Sequence, residues 1–212
     1  MTTLARLLAI VLLAGTALLG VGAMMHPMLT GDGGEHLRII AGTALWREIH
    51  LTMLAGTGLI VAGLWVRLLL PRTPQVQPVL VAALAIIAIG VAINGLNIGY
   101  MTGSGWMMAE RYAAGDASVA QLYELTHPIG LVAARFGNFL VALGAVALGW
   151  GEWRDGVTPR WLAWLAWLAA VGGMIGVLFF EESSRATLGA VALLSGWQVF
   201  TAARAFRTPI DA

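Results

Sequence analysis

Two of the four histidines in this sequence, His50 and His127, lie near the ends of long apolar segments. Each follows an aromatic residue by four positions, Trp46 and Tyr123 respectively, with a glutamate between them. Residues four apart share a helix face, so each aromatic ring is expected beside its histidine. Histidines on facing helices can serve as the axial ligands of a b-type haem. The pattern therefore predicts cofactor binding by His50 and His127, in its sharpest form haem for electron transfer.

Other ligands suit the same residue types. A copper or zinc ion could be held by imidazoles, with His26 and His36 as further metal ligands. A quinone or a lipid headgroup could be bound by His127 and Arg135 as hydrogen-bond donors. The histidines could equally bond to backbone or water at the membrane interface. No pair has the tight spacing of a helical metal motif, so these alternatives stay open.

Polar residues within the apolar segments predict an outward-facing pocket beside these histidines. Charged and amide side chains are costly in hydrocarbon, so each has a functional or a packing reason. At 100° per residue, one stripe about 80° wide on the fourth apolar segment holds Glu124, His127, Arg135 and Asn138. The residues predicted to line the pocket are Trp46, Asn94, Asn97, Tyr123, Glu124, Arg135 and Asn138.

A structural explanation competes with the pocket at two places. Asn94 and Asn97 share a helix face, and hydrogen bonds between neighbouring helices are the simpler explanation for them. Arg135 requires an acceptor within the bundle, and a structural pair that fixes helix packing would satisfy it. The candidate acceptors are Glu124, Glu181, Glu182, Asn94 and Asn97.

The elements that position these residues are membrane-length helices. Hydrophobic residues make up 59% of the 212 residues and charged residues only 11%, against about 25% charged in soluble domains. Crossing about 30 Å of hydrocarbon takes roughly 20 residues. Six apolar runs of about that length cover 4–25, 46–70, 78–100, 128–150, 161–180 and 186–206. The sequence thus predicts one all-α transmembrane domain, 1–212, with long connections at 26–45 and 101–127.

The distribution of arginine predicts the orientation. Seven arginines fall at the two chain ends and the short connections, and four at the side of the long connections. The positive-inside rule then places both termini in the cytoplasm of a bacterium and the histidines outside its inner membrane.

Two halves of the chain resemble each other. Trp46 to His50 and Tyr123 to His127 occupy equivalent places, and a Gly-Asp pair precedes each. This pattern predicts a repeated two-helix unit, spans 1–2 and spans 3–4, with chance similarity between biased segments as the alternative.

Composition and missing motifs narrow the functions. A net charge of +1 offers no basic surface for nucleic acid, and the chain has no cysteine for thiol chemistry. No nucleotide-binding or hydrolase motif is present. A ligand-binding membrane protein, a non-catalytic accessory subunit of a membrane complex and a small transporter remain, in that order. The lipid bilayer, other membrane subunits and quinone are the expected partners.

The C-terminal half resembles a broad bacterial family of six-span integral membrane proteins of unknown function. The residues that carry the resemblance are His127, Gly130-Leu131-Val132, Phe136-Gly137, Pro159-Arg160-Trp161-Leu162 and Trp197. The resemblance implies the architecture and no particular chemistry.

Overall fold

A computed structural model of the chain describes residues 3–179 and 185–207, the side chains of 185–188 excepted. Within those ranges the regular structure is helical throughout and contains no strand, which confirms the predicted all-α class. The helices are α1 (Thr3–Met25), α2 (Gly33–Gly42), α3 (Trp46–Gly63), α4 (Val66–Leu69), α5 (Gln77–Tyr100), α6 (Trp106–Ala113), α7 (Ser118–Asp155), α8 (Arg160–Phe179) and α9 (Arg185–Arg207).

Five of the described helical segments are long and apolar enough to cross a membrane. They are α1, α3 with α4, α5 with α6, α7 and α8. At 23 residues, α9 also has the length for a crossing, although its described part is less apolar. The chain is therefore a multi-pass membrane protein.

The long helices pack as a closed ring in the order α1, α3, α5, α7, α8 and α9, with α9 returning to α1. Successive helices in this ring run in opposite directions. We call one end of the bundle the histidine end, because α1 and α5 end there and α3 and α7 begin there with all four histidines. We call the other the arginine end, after the buried Arg67 described below.

The helices α5 and α7 approach each other closely, and glycine makes this possible. A Cβ built on Gly90 would lie 2.6 Å from the carbonyl oxygen of Gly137, and one on Gly137 equally close to the carbonyl of Gly90. No real side chain tolerates such contacts with backbone. Without a hydrophobic force between helices in lipid, this close packing is what holds the pair together.

Three segments differ from the predicted boundaries. The span predicted to start at Pro128 belongs to α7, which begins ten residues earlier at Ser118 and runs for 38 residues. Pro128 removes only one backbone N–H, a loss that a packed membrane helix tolerates. The connection 26–45 contains α2, begun by a capping box between Asp32 and Glu35. The connection 101–127 holds a π-helical turn, Met101–Gly105, and α6.

A fully buried ion pair ties together the arginine end. Arg67 of α4 donates from Nε to Glu152 Oε1 at 2.7 Å and from Nη2 to Asp155 Oδ2 at 2.7 Å. The other oxygen of Asp155 accepts from the backbone N–H of Thr73 at 2.6 Å. The three charged side chains are at most 2% exposed. The pair thereby fixes the α4–α5 connection to the last turn of α7.

Removing one partner of this ion pair should destabilise the fold. Arg67→Met preserves most of the side-chain volume but strands two buried carboxylates, so we expect a loss of about 3–5 kcal/mol in the free energy of unfolding. Arg111→Met is the matched control, because its ion pair with Asp116 is exposed and should contribute little. Unfolding of both variants in detergent measures the difference; equal stability would show that the buried pair is not a structural tie.

Candidate functional site at the histidine end

His26, Trp46 and His50 form one cluster, the His26–His50 cluster. The ring centroids of Trp46 and His50 are 4.3 Å apart, and that of His26 lies 5.1 Å from Trp46 and 4.9 Å from His50. His50 Nδ1 lies 2.8 Å from the carbonyl oxygen of Trp46. A carbonyl can only accept, so the neutral imidazole carries its proton on Nδ1 and leaves the Nε2 lone pair available.

His36, Tyr123 and His127 form a second cluster, the His36–His127 cluster, with Tyr100 at its edge. The rings of Tyr123 and His127 stack at 4.6 Å and 19°, and His36 stands edge-on to both, 6.0 Å from Tyr123 and 5.7 Å from His127. The Tyr100 ring lies 6.3 Å from His127, and its hydroxyl donates to Thr126 at 2.8 Å. Residues of three helices, α2, α5 and α7, thus meet at one point.

The two clusters are built alike. In each, an aromatic ring and a histidine four residues later are in contact on one helix, and a third ring comes from the region between α1 and α3. The predicted repeat places Trp46–His50 and Tyr123–His127 at equivalent positions, and similar contacts at these positions agree with it. The repeat itself stays a prediction, since equivalent contacts can also arise in unrelated helix pairs.

His50 and His127, the predicted axial ligands, belong to different clusters. α5 packs against both α3 and α7, whereas α3 and α7 are not a substantially packed pair among the described residues. His26 adjoins His50 and His36 adjoins His127, so the two predicted metal ligands His26 and His36 also belong to different clusters. Over residues 3–179 and 189–207, no three histidine, aspartate or glutamate side chains are grouped to hold a metal ion.

The predicted pocket asparagines lie along the seam between α5 and α7. Asn94 Nδ2 donates to Asn138 Oδ1 at 2.7 Å, the interhelical bond that competes with a pocket as their explanation. Asn97 is one turn nearer the histidine end. Its Oδ1 occupies the space that a side chain at Gly130 would fill. Its Oδ1 is buried and has no hydrogen-bond partner among the described residues.

The structure gives the two charged residues predicted for the pocket different surroundings. Glu124 Oε1 accepts from the backbone N–H of Gly33 at 3.3 Å, so this carboxylate caps the first turn of α2. Arg135 is on the exposed surface of α7 instead of inside the bundle. Its predicted partners Glu181 and Glu182 lie outside the described residues.

Two further buried polar atoms of the His36–His127 cluster also lack partners among the described residues. They are His36 Nδ1 and the hydroxyl of Tyr123, whose side chain is 1% exposed. Together with Asn97 Oδ1 they make three unpartnered atoms near one end of the α5–α7 seam. Buried polar groups normally find a partner, so each such atom indicates a water or a ligand position.

His26 lies just beyond the end of α1, and burial lowers its pKa from the ordinary value of 6.5, an effect only partly opposed by a backbone hydrogen bond at Pro27. The neutral imidazole is therefore the form that the fold favours. A neutral imidazole is also the form that binds metals.

Sequence reasoning missed residues at both ends. Tyr100 contacts His127 but was treated only as the end of a span; its position three residues after Asn97 was the available signal. Sequence analysis assigns no partner to Arg67, which the structure pairs with Glu152 and Asp155. Their spacing of three puts both carboxylates on one face of α7, and that spacing could have identified them.

Comparisons with known proteins add no identity. No family model, no curated protein and no solved structure matches the chain. The resemblance to six-span bacterial proteins stays a prediction.

The contact between Glu124 and Gly33 predicts how α2 is held. Glu124→Ala removes the acceptor at the α2 N-terminus and should cost up to about 1 kcal/mol of stability. Hydrogen exchange at residues 33–42 should become faster. Glu110→Ala, at an exposed position on α6, is the control; unchanged exchange in the Glu124 variant would mean that packing alone holds α2.

The lowered pKa of His26 predicts a pH dependence. The unfolded chain takes up a proton near pH 6.5, while folded His26 resists it, so the unfolded state binds more protons below that pH. Stability should therefore fall as pH drops below 6.5, and this contribution should vanish above it. Thermal unfolding from about pH 5 to about pH 7.5 should show a smaller pH dependence in His26→Gln than in the unmodified protein. Parallel curves would contradict the assignment.

Proposed function

We propose that this membrane protein binds a small hydrogen-bonding molecule at the His36–His127 cluster. The observation that carries the proposal is a set of three buried atoms that have no hydrogen-bond partner within the part of the chain that the structure describes: Asn97 Oδ1, His36 Nδ1 and Tyr123 Oη. Leaving a buried polar atom unpaired costs roughly 1–3 kcal/mol. A ligand that pairs with these atoms would recover that free energy, which makes the site favourable for binding.

The side chains suggest the class of ligand. Tyr123 and His127 present parallel rings, and the phenol hydroxyl and imidazole nitrogen can each donate or accept. Flat molecules with carbonyl or hydroxyl groups stack on such rings and bond to such atoms. A quinone headgroup has this chemistry and partitions into membranes, so quinones are the first class to test.

Haem binding through His50 and His127 stays a prediction. It would require α3 and α7 to present their histidines to one porphyrin. Zinc or copper at the histidines likewise stays a prediction. The accessory-subunit and transporter functions also stay predictions, since no contact among the described residues favours either.

The proposed orientation places the histidine end outside the bacterial inner membrane and both termini in the cytoplasm. Arg67 adds no net positive charge at the arginine end, because it is paired with two carboxylates. Six arginines of that side remain against four, so the bias survives without it.

Tyr123→Phe tests the proposal, because it removes one hydroxyl and leaves the stacked ring in place. We expect a soluble quinone analogue to raise the unfolding temperature of the unmodified protein through ligand linkage. The variant should bind at least about tenfold more weakly, the effect of a lost buried hydrogen bond. Tyr112→Phe is the control, because Tyr112 lies on α6 and bonds to an exposed Arg38.

Two results would contradict ligand binding at this cluster. One is an unmodified protein that no quinone analogue stabilises and that yields no small molecule on solvent extraction. The other is Tyr123→Phe binding with unchanged affinity. Absorption spectra of the oxidised and reduced protein, recorded on the same sample, test the haem form separately.

A further inference from the structure

The His26–His50 cluster has a different chemistry from the proposed quinone site. Two imidazoles stand 4.9 Å apart, ring centre to ring centre, with the indole of Trp46 against both. His50 is 2% exposed, and its Nδ1–H is held by a backbone carbonyl. Metal-ligating histidines usually have this second hydrogen bond, which fixes the tautomer and aims Nε2 at the metal.

A thioether side chain packs where α1 meets α3. Met53 is one turn from His50 on α3, three residues along the chain. Its Cγ occupies the space of a missing side chain on Gly22, since a Cβ built there would lie 2.4 Å away. Gly22 is in the last turn of α1, which leads directly to His26. The glycine thus lets Met53 lie between α1 and α3 at the base of the cluster.

More thioethers flank His26 in the chain. Met24, Met25 and Met28 are 90%, 50% and 63% exposed. Thioethers are soft ligands that select monovalent copper over zinc, magnesium or calcium. The exposed methionines are therefore suited to capture an ion and pass it to the buried imidazoles.

The charge of the cluster selects the ion. Imidazole and thioether are neutral ligands, and Glu48, the nearest carboxylate in the chain to His50, is exposed on α3. A divalent ion would bring two charges into a buried site with no counter-charge, a large desolvation cost. A monovalent ion brings one, and the face of Trp46 adds a cation–π attraction.

We infer that His26, His50 and Met53 form a binding site for Cu(I), supplied through the methionines around His26. Two imidazoles and one thioether complete the low coordination number that Cu(I) accepts. Binding involves no electron transfer, and the ion enters already reduced. This site is separate from the proposed quinone site and does not depend on it.

The test is titration of the detergent-purified full chain with Cu(I), kept reduced under anaerobic ascorbate, in competition with bicinchoninate. One Cu(I) should bind per chain. His26→Ala and His50→Ala should each weaken binding at least about tenfold. His36→Ala, from the other cluster, should bind as the unmodified protein does.

Met53→Leu supplies a second readout, since leucine fills a similar volume over Gly22 and removes only the sulfur. X-ray absorption at the copper edge should show a sulfur neighbour in the unmodified protein and lose it in Met53→Leu. Met107→Leu, at an exposed position on α6, should retain it. Zn(II) in place of Cu(I) should bind much more weakly.

Several outcomes would overturn the inference. Binding no greater than in a detergent blank would do so, as would unchanged affinity in a folded His26→Ala variant. Copper that responds to His36→Ala but not to His26→Ala would assign the ion to the other cluster. Equal affinity for Zn(II) would remove the charge argument. His26 is half-buried in a connection, so its variant gives a result even where His50→Ala fails to fold.

Discussion

Contact between the backbones of α5 and α7 at Gly90 and Gly137 sets the height at which the polar residues of these helices meet. With no side chain to separate them, the two helices keep one register along their shared length. Asn94 then reaches Asn138 near the centre, and Tyr100 reaches His127 at the histidine end. Larger residues at the contact would separate both of those pairs, so the site depends on packing nearly three helical turns away from Tyr100 and His127.

The elements were predictable because a bilayer admits few structures: backbone groups in hydrocarbon must pair within one segment, and long apolar runs therefore become helices. Local sequence rules predict a helix start at Pro128. Tertiary packing instead allows α7 to continue through this residue. The contacts of the histidines could not be predicted from local sequence patterns. His26 and His36 lie in or beside the connection between α1 and α3, and its path depends on contacts with α7 that periodicity does not encode.

The histidine end combines two clusters of similar construction and unlike chemistry. Around His127, the buried polar atoms that lack partners among the described residues are an amide oxygen, a phenol hydroxyl and an imidazole nitrogen, all suited to hydrogen bonding. Around His50 the additional atoms are sulfur and an indole face, suited to a soft cation. A duplicated arrangement of an aromatic ring and a histidine would thus have diverged through the residues beside it, with Met53 and Tyr100 as the distinguishing neighbours.

At 38 residues, α7 is about 57 Å long by the helical rise, nearly twice the thickness of the hydrocarbon. One stiff rod therefore carries Tyr123 and His127 near one end and the carboxylates of Glu152 and Asp155 at the other. Any twist of the rod about its axis that moves Tyr123 and His127 away from His36 also turns the carboxylates away from Arg67. The two faces of the membrane are in this way mechanically linked through a single element, with the ion pair acting as its anchor.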